Sequence, residues 1–96
     1  MFIELKTVEI EKEYVDEYIE KWNNHQLTID GLQKINILRD AKNKSLIQRV
    51  VIAIVWDSEQ SYKAWKTHPD HIASHKTKGE RPSWIKRMES KGYHLC

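Results

Sequence analysis

Seven consecutive apolar residues, Val50 to Trp56, constrain this chain more than any other feature. The run is far shorter than the roughly 20 residues that cross a bilayer as a helix. It also lacks polar alternation, so it reads as a strand with apolar groups on both faces. Asp57-Ser58 follows at once, and Ser58 suits the N-cap of a helix over 59–66. Such a strand in a chain of 96 residues needs cover on its second face. That requirement points to a partner subunit, and to a ligand held between the sheet and the helical region carrying Trp65 and His75, ten residues apart.

A chain of this length makes one domain, over residues 1–96. Its core is small, so pairing with a second copy would help it. The 16 basic and 14 acidic residues nearly balance, which argues against a nucleic-acid partner and its concentrated basic stripe. The last third is locally basic, with Lys76, Lys78, Arg81, Lys86, Arg87 and Lys91. That is either a solvated face or a set of cations near an anionic ligand. One cysteine, Cys96, cannot form an internal disulfide and fits a reducing cytoplasm. The acidic, alternating N-terminus does not read as a signal peptide. No stretch approaches a membrane span.

Residues 2–10 alternate loosely and predict a first strand. Over 12–24 the period becomes helical: Tyr14, Val15, Tyr18, Ile19 and Trp22 form one apolar stripe, with acids toward the start of the helix. Gly31 opens a second strand over about 31–39. The polar turn Asp40–Ser45 leads into a third over about 46–56, so these two should form a hairpin. After the helix over 59–66, Pro69 suits the first turn of a short helix over about 69–77. Residues 77–83 read as a loop and about 86–95 as a fourth strand. The order β-α-β-β-α-β predicts an α+β fold, the ferredoxin-like plait, with helices on one sheet face only. The other face would meet its equivalent in a second copy.

The plait, the strand ending Val55-Trp56-Asp57-Ser58, the helix EQSYKAW and the downstream His75 resemble the dimeric α/β-barrel proteins of the antibiotic-biosynthesis-monooxygenase superfamily. Within it, a Trp followed ten residues later by a His is similar to the IsdG-type heme-degrading monooxygenases. The specific part of the resemblance lies within about residues 54–76. It implies a homodimer that binds heme as both ligand and substrate, with His75 as the axial ligand of the heme iron and Trp65 as the aromatic that distorts the porphyrin. It also implies an Asn on the first strand, near the site of oxygen binding. This chain has Lys6 at that position, and a longer, charged side chain is no simple substitute for an amide.

Each of these residues also has a plainer reading. His75 alone is an exposed helical imidazole, and Trp65 alone is a core aromatic. Trp22 is either core or the lining of a pocket, Trp56 is structural, and Trp84 sits in the basic loop where it would cover a pocket mouth. His68, His71 and His75 have the spacing H-x2-H-x3-H, a weak zinc pattern. Three functions remain open. The first is oxygen-dependent opening of the porphyrin ring, with electrons from an external donor and Lys76 or Arg81 pairing with the propionates. The second is cofactor-independent oxygenation of a phenolic or quinol molecule, with His75 or another pocket group as general base. The third is a non-catalytic dimeric binding module.

Overall fold

The computed structural model describes residues 1–23, 29–42, 45–69 and 82–96. The chain runs through β1 (Phe2–Glu11), a 3-10 turn (Lys12–Tyr14), α1 (Val15–Asn23), β2 (Leu32–Arg39), β3 (Ile47–Trp56), α2 (Glu59–Lys66) and β4 (Ile85–His94). The strands form one sheet in the order β2-β3-β1-β4, and every neighbouring pair is antiparallel. This is the ferredoxin-like α+β arrangement expected from the sequence. Residues 70–77, where a second short helix is predicted, lie outside the described residues, as do 77–81 of the predicted loop.

Register explains which side chains meet the helices. Phe2 pairs with Trp56, Lys6 with Ile52 and Val8 with Val50 across β1 and β3. Side chains alternate along a strand, so Phe2, Glu4, Lys6, Val8 and Ile10 share one face with Gln48, Val50, Ile52, Ile54 and Trp56. Val8, Ile10, Val50 and Ile52 are fully buried there, and Val15 and Tyr18 of α1 complete the core from above. The periodic stripe of the first helix is thus the buried one, although its first turn, Lys12–Tyr14, is 3-10.

The seven-residue apolar run forms the last part of β3. Its helix-side residues are buried, whereas Val51 and Ala53 on the opposite face are half-buried. That face also carries Ile3, Leu5 and Val55, with Leu38 and Tyr93 53% and 47% exposed. Among the described residues no helix is long and apolar enough to cross a membrane.

Two junctions position α2. Ser58 caps it, accepting from the backbone N–H of Ser61 at 3.2 Å. Gly31, at φ +85°, brings the start of β2 beside that cap, and its carbonyl accepts from the Asp57 N–H at 2.8 Å. A side chain on Gly31 would collide with Ser61; glycine tolerates both the positive φ and the close approach.

Candidate functional site

The helix side of the sheet holds the polar groups that a purely structural core would lack. Lys6 lies on this face of β1, between Ile52 of β3 and Ser90 of β4 in register. Its ammonium stands 5.8 Å from the ring centre of Trp22, in the last turn of α1. Leu5 and Thr7 point to the opposite face, so a slip of one residue would remove the side chain from the helix side altogether. Trp22 is half-buried and packs on the core. It also lines a hollow between α1 and β2, whose other walls include Asn23, Leu32, Ile35 and Ile37. The hollow measures about 280 Å³, close to the lower bound of roughly 300 Å³ for small-ligand sites. The lining is mixed: Trp22, Leu32, Ile35 and Ile37 are apolar, and Asn23, Gln33 and Lys34 are polar. The indole and the branched aliphatic side chains suit one face of a planar apolar ring.

Trp65 is half-buried on α2 and packs against the same core. The imidazole of His68 stacks on it with centroids 5.6 Å apart. One turn earlier, Tyr62 lies 4.8 Å from Phe2 and 6.0 Å from Trp56. Trp22 and Trp65 thus stand on the two helices above one sheet face. Trp56 is buried core, as expected. Trp84 stacks on Tyr14 at 5.1 Å and meets Tyr18 edge-on, which docks it beside the first helix. The affinity of large aromatic faces for one another explains this docking.

His75, His71, Lys76 and Arg81 lie outside the described residues. Among the described residues no group of three or more His, Cys, Asp or Glu could hold a metal ion.

Glu4 was not singled out from the sequence. It is a carboxylate only 3% exposed in the middle of the sheet. Ser90 Oγ donates to its Oε2 at 2.7 Å and Tyr62 Oη at 3.3 Å, while Lys66 Nζ lies 3.5 Å away. Parity was the available signal: Glu4 shares the alternation of Phe2, Val8 and Ile10. At the start of α2, Asp57 accepts from Ser61 Oγ at 2.6 Å and Ser58 Oγ at 3.2 Å. The Ser61 bond above all holds the Asp57 carboxyl below the usual carboxylate range. Burial pushes the Tyr18 phenol up, opposed by its hydrogen bond with Trp22.

Residues 1–77 match the antibiotic biosynthesis monooxygenase (ABM) family. The chain belongs to the ABM family. Over 99 aligned residues it is 28% identical to the heme-degrading monooxygenase HmoA of Bacillus subtilis, covering 99% of this chain and 91% of HmoA. An ABM-assigned protein from Bacillus cereus superposes with a TM-score of 0.82 at 24% identity, over 98% of this chain and 91% of the other. The heme-degrader MhuD from Mycobacterium tuberculosis, crystallised with two hemes in its active site, superposes with a TM-score of 0.75 at 17% identity, over 99% and 95% of the two chains. The two superpositions establish the ABM fold.

Proposed function

We propose that this ABM protein is a monooxygenase that binds heme between its sheet and helices and opens the porphyrin ring with molecular oxygen. The observation that carries this reading is the identity to HmoA across 99% of the chain. In this reading His75 would hold the heme iron, Trp65 on α2 would distort the porphyrin, and Trp22 would form the pocket wall at the end of α1. Lys6 occupies the first-strand position of the family's Asn. Bound heme supplies the redox-active iron and is itself the ring that is oxidised, with electrons from an external donor. The chain's own part is to bind the macrocycle, bend it and keep water from the apolar side. Lys76 or Arg81 would pair with the propionates.

The functional unit in this proposal is one domain over residues 1–96, acting as a homodimer in the cytoplasm. The second sheet face, with the half-buried Leu5, Val51 and Ala53 and the exposed Leu38, supports pairing with a second copy.

Hemin titration of the purified protein tests the reading. We expect a stoichiometric shift of the ferric Soret band that His75→Ala abolishes; an unchanged spectrum in that variant removes the ligand assignment. With ascorbate and oxygen, the band should decay with release of iron even when catalase is present. Heme that persists would mark a non-catalytic binder. The ammonium of Lys6 beside Trp22 favours a second reading. A cation there would hold the phenolate of an electron-rich phenol or quinol that reacts with oxygen without a cofactor, with His75 as base. Only weak, nonspecific hemin uptake would select it.

A further inference from the structure

We propose that Glu4 is a positioning residue: its carboxylate fixes α2, and through it Trp65, against the sheet. The inference deepens the heme reading and rests on it only where hemin is the probe.

A carboxylate in a sheet interior is strongly disfavoured unless donors surround it. Glu4 has them, and their origin is informative. Two hydroxyls, Ser90 from β4 and Tyr62 from α2, donate to the single atom Oε2, and the ammonium of Lys66 from α2 pairs with it at 3.5 Å. Tyr62 and Lys66 stand one helical turn apart, and Trp65 is three residues from Tyr62, so all three belong to one helix face. The carboxylate therefore grips α2 on both sides of the indole.

The helix needs such a grip. It has eight residues, none of them fully buried, and so short a helix does not hold its shape alone. Its N-terminal end is tied down by the Ser58 cap, by the Asp57–Gly31 backbone bond, and by Glu59 paired with His94 at 3.2 Å. Among the described residues, the contacts that join its C-terminal turn to the sheet include those of Tyr62, Trp65 and Lys66. Apolar packing is non-directional, whereas an oxygen shared by a hydroxyl and an ammonium on successive turns sets the angle of the helix about its own axis. Gly92 lies opposite Glu4 in β4, and the Phe2 ring occupies the space that a side chain there would fill.

Hydrogen exchange of the intact protein tests the grip without any ligand. In Glu4→Leu, amides of 59–66 should exchange about tenfold faster while those of 47–56 keep their wild-type rates. Tyr62→Phe and Lys66→Met should each give the same selective pattern more weakly, and they serve where Glu4→Leu fails to fold. Acceleration of both segments together, or of neither, overturns the proposal. A double-mutant cycle then tests the link to the indole. Glu4→Gln should weaken hemin binding about tenfold in the wild-type background and have no effect in a Trp65→Ala background. Equal losses in both backgrounds overturn positioning through Trp65. If the wild-type protein gives no Soret shift, the heme reading falls, and the exchange of 59–66, the segment containing Trp65, still decides for or against the grip.

Discussion

A missing side chain is informative at Gly92. A Cβ there would lie 2.3 Å from Phe2 Cζ, and Phe2 is buried between Tyr62 and His94. A rigid ring held on two sides cannot swing away cheaply. Gly92→Ala should therefore cost about 1–3 kcal/mol through overpacking, measured by urea unfolding; an unchanged midpoint would mean that the Phe2 ring has somewhere else to go. Single residues were unevenly legible in the sequence. The stripe Tyr14, Val15, Tyr18, Ile19 and Trp22 announced its inward face because a helix repeats that spacing. Glu4 was hidden because acids are usually read as surface, and only the parity it shares with Phe2 and Val8 placed it inside. Lys6 was noticed through resemblance, yet the same parity argument would have placed it on the helix side.

Among the elements, α2 was read with its observed limits because Ser58 is a good cap and no later residue competes with it. The start of that helix also titrates. The bond from Ser61 keeps the Asp57 carboxyl below its usual range in the folded state. A group lowered in this way adds stability above its unfolded-state pKa and loses that contribution as pH falls through the folded value. Ser61→Ala should therefore melt below the wild-type protein near neutral pH. The gap should shrink as pH falls below the unfolded-state carboxylate range and through the lowered folded value of Asp57, where the carboxyl is protonated in both states. A gap independent of pH would assign the loss to packing instead. The fourth strand was the hardest to read. Of Ile85–His94 only Ile85 is buried, so the sequence carries no alternation. Pairing with β1, not periodicity, makes it a strand.

At the scale of the whole molecule, the apolar run of β3 was the right guide to the sheet: its helix-side residues Val50, Ile52, Ile54 and Trp56 are buried core. In the proposed homodimer, its other face meets a second copy. Ala53 lies near the centre of the open face, between Leu5 of β1 and Asn36 of β2 in register. Ala53→Glu adds a charge there without touching the helix-side core. If the proposed homodimer pairs through this face, the variant should raise its dissociation constant by about a hundredfold or more, read by sedimentation; a dimer of wild-type affinity would place the interface elsewhere, and a monomeric wild-type protein would remove the proposed pairing. The sheet order has a further consequence. β1 is hydrogen-bonded along both edges, to β3 and to β4, and it carries both Glu4 and Lys6. Moving either residue's backbone means tearing two ladders at once. β3, paired to β1 and β2, is held in the same way. The floor formed by these two central strands is therefore harder to adjust than the helices above it, and selection for a new ligand should leave it in place and accumulate its changes in the roof.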